Sequence, residues 1–504
     1  MRQPYDAVVV GAGSAGCVLA GRLSAGQARR VLLVEAGPDY ADPGTLPADL
    51  RDARLPTYSH DWGYHAEETV LGRRIGQPRG RVTGGCSATN AAVALRGQAG
   101  DYDAWADGGN PGWSAAEVLP FFRALEADAD FPSATHHGAD GPIAIRRTPV
   151  PDLTALNAAA LEAAVHAGHQ YVPDHNLFGA VGAGTVPLNR IGDERQSTAI
   201  TYLQSARSRP NLTVMPETLV EAVVVRRGRA CGIRLADGEE ILAGAVILAA
   251  GVFGSPAILL RSGIGEPGEL RRHCVPVVAP VPGVGMNLTD HPRISSEWPV
   301  DPASAGGHQY QVLITSAGSG DAGSGFGFQH FAGYAQQPSN PAGGGPVFWL
   351  CASLMKPLSR GRVSLLSAKP DEPPRIELGL LREAGDLDRL LDGLETARRI
   401  CAVPPLRGLL RGRDLLGMRT RDEPAALRAA VREEVRSAYH QVGTCSMGLD
   451  PGAGAVVDAR CRVHLVDRLW VADASVMPEI PSANTNLPTV MLAERACAWL
   501  EDEI

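Results

Sequence analysis

Residues 5–37, YDAVVVGAGSAGCVLAGRLSAGQARRVLLVEAG, leave a chain few ways to fold. The apolar run Ala7 to Val10 reads as a buried strand and Val31 to Val34 as its parallel neighbour, because strands covered on both faces are apolar without alternation. Between them lie Gly11, Gly13, Ser14 and Gly16, then the helical spacing of Val18, Leu19 and Leu23. Gly11 permits a tight turn, Gly13 lets the backbone approach a pyrophosphate, and Gly16 lets the helix pack closely on the strand. Free amides at the helix start, at the positive end of its dipole, suit phosphate. Glu35 ends the second strand, where a carboxylate can accept hydrogen bonds from both ribose hydroxyls and repel a 2′-phosphate. The pattern predicts an α/β unit of Rossmann type. It leaves NAD and FAD both open.

Composition narrows the partners. At 504 residues the chain exceeds one ordinary domain. A net charge of −8 and a pI near 5.9, with no block of Lys or Arg, argue against nucleic acid, whose phosphates need a basic face. The 9 cysteines are scattered and form no C-x-x-C pair, so neither a disulfide framework nor a zinc site is indicated. No run approaches the roughly 18 consecutive apolar residues of a membrane span. The first strand starts too early to leave room for a signal peptide, which makes the cytoplasm the expected location.

A second glycine-rich block, GRVTGGCSATNAAVALRG, occupies residues 80–97. There Gly84 and Gly85 would let the main chain pass close to a flat ligand, with Ser87 and Asn90 as polar contacts. Residues 244–265, GAVILAAGVFGSPAILLRSGIG, read as a strand closed by Gly251, then a helix started by Ser255-Pro256. NLTDHP, YHQVGT, VADASVMP and ANTNLPTVMLAE follow in turn.

With these blocks in this order along essentially its whole length, the chain resembles the glucose–methanol–choline (GMC) oxidoreductases, FAD enzymes that oxidise alcohols. It is most similar to their bacterial choline dehydrogenase-like and 5-hydroxymethylfurfural oxidase-like members. The resemblance implies an α/β (α+β overall) architecture: a Rossmann-like FAD-binding domain from 1–155, 210–292 and 440–504, and a discontinuous antiparallel-sheet substrate domain from 156–209 and 293–439. The sequence agrees in that 362–368 and 375–378 look like short strands. Leu387, Leu390, Leu391 and Leu394 carry helical spacing. FAD is the implied cofactor. Some members attach it through a histidine of the second glycine block, where this chain has Thr89, so non-covalent FAD is expected. Val220, Gly251, Asp473, Ala474, Asn486 and Pro488 join the glycines, Ser14, Glu35, Ser87 and Asn90 as implied cofactor contacts. Asn486 and Pro488 would lie at the first turn of the last helix, whose positive end favours negative charge on reduced flavin.

Alcohol oxidation needs a base for the hydroxyl proton, and an imidazole suits that task near neutral pH. By itself His440 in SAYHQVGTCSMG reads first as a hydrogen-bonded core residue, with a base or a metal ligand as the alternatives. The resemblance implies that it is the base and that Asn484, which cannot take a proton, binds the alcohol oxygen. Alone, Asn484 and Asn486 would read as helix caps, and Asp473 as a turn cap or a cofactor contact. Cys445 beside His440 has no acyl-transfer motif with it. His136, His137 and His291 show no metal-ligand spacing and read as loop pins, so no metal is expected. Phe326, Phe328, Phe331, Tyr334, Phe348 and Trp349 are candidate pocket walls. The implied partner is a small primary alcohol, with O2 or another electron acceptor, and small Ala438 leaves space beside the base. The competing reading on the same fold is a non-redox hydroxynitrile lyase that keeps FAD and uses the same histidine.

Overall fold

The computed structural model describes residues 4–26, 28–68, 70–304, 310–317, 327–336 and 345–504. Four strands, β1 (Tyr5–Val10), β2 (Val31–Val34), β3 (Leu212–Met215) and β4 (Glu240–Leu248), form a parallel sheet with Leu469–Val471. Its order is β3-β2-β1-β4, with Leu469–Val471 outside β4. Helices cover both faces of it, which is why β2 is apolar at every position and buried throughout. The start of β4 continues into an antiparallel hairpin, Val220–Arg226 and Arg229–Leu235.

Helix α1 (Ser14–Leu23) leaves the end of β1 as the glycine pattern predicts. Helix α2 (Gly251–Arg261) begins at Gly251, not at the expected Ser255-Pro256. Pro256 therefore sits inside the helix, where it cannot donate to the carbonyl one turn back. Thr444 Oγ1 donates to that carbonyl, of Val252, at 2.7 Å. Asp473 caps the start, accepting from the Gly251 amide at 2.9 Å and from Ser255 Oγ at 2.6 Å.

A second, antiparallel sheet contains β5 (Pro292–Pro299), β6 (Val312–Ser316), β7 (Phe328–Ala335) and β8 (Val347–Leu354). Its order is Arg436–Ser437, β5, β8, β7, β6, Ala183–Thr185. Side chains alternate between its faces. Phe328, Phe348 and Leu354 pack toward α3 (Ala384–Cys401) and the helix Ala155–His166, burying Leu387, Leu390, Leu394 and Ile400. Tyr334 joins that helix side. Phe331 and Trp349 point the other way, against Tyr310, Leu313 and Ala483. Of the candidate wall aromatics, then, Phe331 and Trp349 face the loop that carries Asn484, and Phe326 lies outside the described residues.

The stretch 156–209 is shared between the layers. Its first helix and Ala183–Thr185 join the second sheet, whereas Tyr202 and Leu203 pack with α1. The closing helix α4 (Asn486–Glu503) lies along α1, where Glu494 pairs with Arg22 at 2.7 Å and accepts from Tyr202 Oη at 2.6 Å. Among the described residues no helix is long and apolar enough to cross a membrane.

Candidate active site

A cavity of about 430 Å³ runs from the ends of β1, β2 and β4 to the loop before α4. Gly11 opens it with φ +97°, a conformation that favours glycine. A Cβ on Gly16 would stand 1.8 Å from the Gly11 carbonyl, so only glycine lets α1 pack this tightly. A Cβ on Gly13 would meet nothing within 4 Å, because that backbone faces the open cavity. Gly13, Ser14 and Ala15 thus present the first amides of α1 to the void. Ser14 Oγ donates to Asn486 Oδ1 at 2.8 Å, fastening the start of α1 to that of α4.

Glu35 lines the same end. Its oxygens accept from the amides of Ala12 and Gly37, each at 2.8 Å. Burial outweighs those bonds and pushes its carboxyl up to about 7. A ligand hydroxyl donating to Glu35 would favour the charged form.

At the far end Asn484 Nδ2 lies 3.0 Å from His440 Nε2, and His440 Nδ1 lies 3.0 Å from His291 Nδ1. The His440 backbone is held by Asp290, whose Oδ1 accepts its amide at 2.9 Å. Burial, then the nearby Arg293 and Arg79 guanidinia, push the His440 pKa down to about 3. The ring is therefore neutral. Accepting from Asn484 at Nε2, it has its proton at Nδ1 to donate to His291. His291 is itself held well below its usual range, by burial and then by His440 and Lys356. Asn484 Oδ1 is enclosed without a hydrogen-bond partner among the described residues.

Sequence comparison decides the family. The GMC oxidoreductase family patterns match residues 5–293 and 357–493. The chain belongs to the GMC oxidoreductase family. It is 35% identical to human mitochondrial choline dehydrogenase, over 98% of this chain and 89% of that one. It is 36% identical to 5-(hydroxymethyl)furfural oxidase of Methylovorus sp., over 97% of each. Among solved structures, pyridoxine 4-oxidase from Mesorbium loti superposes with a TM-score of 0.89 at 30% identity, covering 98% of this chain and 99% of that one. The fold is that of the family, and the protein is an FAD-dependent alcohol oxidoreductase.

The GMC cavity fits FAD by its donor set: open glycine backbone and helix amides for the phosphates, Glu35 for a ribose, and an aromatic end. Besides His440 and Asn484, Gly11, Gly13, Ser14, Glu35, Gly85, Asn90, Val220, Gly251, Asp473, Ala474 and Asn486 all line it. Four expected contacts do not. Gly16 and Gly84 serve the backbone packing behind the wall. Ser87 is buried behind it, where its hydroxyl donates to Gly84 O and accepts from the Thr198 amide. Pro488, in the first turn of α4, lies off the wall as well.

The sequence reading missed Trp62, Tyr64 and Arg79 on the wall, and Arg293 near His440. Trp62 and Tyr64 stack with ring centres 5.6 Å apart, and Arg79 lies over Phe253 at 5.2 Å. Their signal was present in DWGY, two aromatics two apart and so on one face of an extended segment. Arg293 follows the TDHP block directly.

Proposed function

We propose that this enzyme oxidises a primary alcohol to the aldehyde, with His440 as the base, Asn484 holding the alcohol oxygen, and FAD bound without a covalent link. The observation that carries this is the neutral His440 Nε2, 3.0 Å from Asn484 Nδ2 on the cavity wall. FAD bound in the cavity supplies the two-electron acceptor for the carbinol hydrogen. An alcohol oxygen entering between the two side chains would accept from the Asn484 amide and donate its proton to His440 Nε2. His291, at Nδ1, keeps the other nitrogen of His440 protonated and so points the free lone pair at the substrate. Asp290 fixes the ring's position through the His440 amide. Thr89 offers no ring nitrogen for a covalent link to flavin. The relatives named for choline, 5-(hydroxymethyl)furfural and pyridoxine all point to alcohols bearing a –CH2OH group.

The test is anaerobic mixing of the yellow holoenzyme with a panel of primary alcohols. Bleaching of the flavin, with aldehyde formed in equal amount, is expected. A flavin that stays oxidised while a cyanohydrin is cleaved would move the enzyme to the non-redox class.

A further inference from the structure

The buried arginines of this protein are almost all provided for. Arg96 pairs with Glu126, Arg147 with Asp128 and Asp174, and Arg398 with Asp414. Arg195, with no carboxylate, gives its N–H groups to the carbonyls of Leu50, Asp52 and Leu55. Near His440 the pattern changes: Arg79 gives its Nη groups to the carbonyls of Pro78 and Tyr439, and Arg293 is paired to no carboxylate among the described residues. It stands on β5 two residues after His291, and its Nε donates to Ser437 O at 3.0 Å. Its Nη1 lies 3.9 Å from Cys351 Sγ. Asp290, the carboxylate bonded to the His440 amide, spends its oxygens on that amide, Ser437 and Gln441.

Arg293 is half-buried and stands off the wall of the large cavity, next to Tyr439, which lines it. The surroundings are aromatic. The guanidinium lies 5.8 Å from the Tyr439 ring centre, and Tyr310 packs on Trp349 and Phe331 at 5.6 and 5.8 Å. A half-buried guanidinium without a carboxylate partner can still take one from a ligand. Its planar fork matches one class of ligand best, an oxyanion that can accept two parallel hydrogen bonds.

We infer that the alcohol oxidised here carries a carboxylate, which seats on Arg293 beside Tyr439 and the Tyr310–Trp349 wall while the hydroxymethyl group reaches His440 and Asn484. This rests on the alcohol-oxidation reading of the same site. It also joins recognition to chemistry. Arg293 opposes protonation of His440, so an anion that offsets its charge makes His440 a better base at the moment the substrate is in place. A quaternary ammonium such as choline would meet the guanidinium and gain nothing.

The test compares 4-(hydroxymethyl)benzoate, 4-(hydroxymethyl)benzamide and choline as anaerobic reductants of the holoenzyme. Flavin reduction per unit concentration should be at least tenfold faster with the benzoate than with the amide, and slowest with choline. R293Q should erase that preference with FAD still bound, and R293K should restore part of it. An amide or choline that matches the benzoate in the native enzyme would overturn the inference without any variant. So would a preference that survives R293Q. Titration with benzoate and benzamide, neither of which has a carbinol, separates the two readings. Benzoate binding that is lost in R293Q, in an enzyme no alcohol reduces, would keep the anion seat and sink the alcohol reading. Benzoate binding no tighter than benzamide would sink the seat.

Discussion

His137 and His440 are both enclosed imidazoles, and their surroundings drive them to opposite charge. His137 is wholly buried, with Nδ1 2.8 Å from Glu126 and Nε2 2.8 Å from Asp174. Burial alone would lower its pKa, but the bonds from Asp174 and Glu126 outweigh it and raise it to about 9. Arg96 and Arg147 complete the set with Asp128. The buried Glu126, Asp128 and Asp174 then face two guanidinia and one imidazolium, with the partly exposed Asp130 a fourth carboxylate 3.3 Å from Arg147. His440 is held neutral by burial and then by two guanidinia, with the Asn484 amide beside it. A closed set of charges is a structural device; an open one leaves room for a ligand. Three of its groups, Glu126, Asp128 and His137, have ligand atoms within 4.8 Å of one another. An imidazolium that donates from both nitrogens has no lone pair for a cation.

The contrast breaks most sharply at His440. His440→Ala should slow flavin reduction by about 10²–10⁴-fold, the range of a general base. FAD content, read from the absorbance of the gel-filtered variant, should stay native. A variant reduced at near-native rate would end the assignment.

His137→Ala should act in the reverse sense. Removing one partner of a buried charge set costs about 3–5 kcal/mol, measured by denaturant unfolding of the holoenzyme. The fraction that remains folded should reduce its flavin at the native rate. If the variant lost catalysis and kept its stability, the division between the two histidines would be wrong.

Asn484→Ala should slow reduction by about 10-fold to 100-fold, less than loss of the base, because a hydrogen bond to a developing charge is worth about 1.5–3 kcal/mol. Its effect should appear in the reduction rate at saturating alcohol.

Stability against pH sharpens the comparison further. The folded pKa of His137 lies above its ordinary 6.5, so its contribution is full below 6.5 and disappears as pH rises through about 9. The loss is on the order of 3 kcal/mol and should vanish in H137Q. The folded pKa of His440 lies below 6.5, so it costs stability only as pH falls from 6.5 toward about 3. H440A should therefore gain on the native enzyme in acid. Melting temperatures of the three proteins between pH 5 and 10 would show both slopes, and parallel curves would refute the assignment.

Much was legible in local pattern. The GAGSAG turn, the apolar runs of β1 and β2 and the spacing of α3 are short-range signals, and each element stands where they place it. The start of α2 was not, because a proline usually opens a helix and only Thr444, far along the chain, satisfies the carbonyl that Pro256 leaves free. Ser87 looked like a cofactor contact until the fold brought Thr198 against its hydroxyl. Phe328 and Phe331 could not be told apart as wall residues without the register of β7 against β8.

By itself the sequence determined the family, the cofactor and the order of the elements, since these rest on glycines, apolar periodicity and blocks a few residues long. Only the tertiary structure decided the opposite charges of His137 and His440, the contact of His440 with His291, and the lack of a carboxylate beside Arg293 among the described residues. The physical reason is that a pKa sums the fields and desolvation of every neighbour. At His440 those neighbours include Arg79, Asp290, His291 and Arg293, which lie at distances along the chain that no local pattern spans.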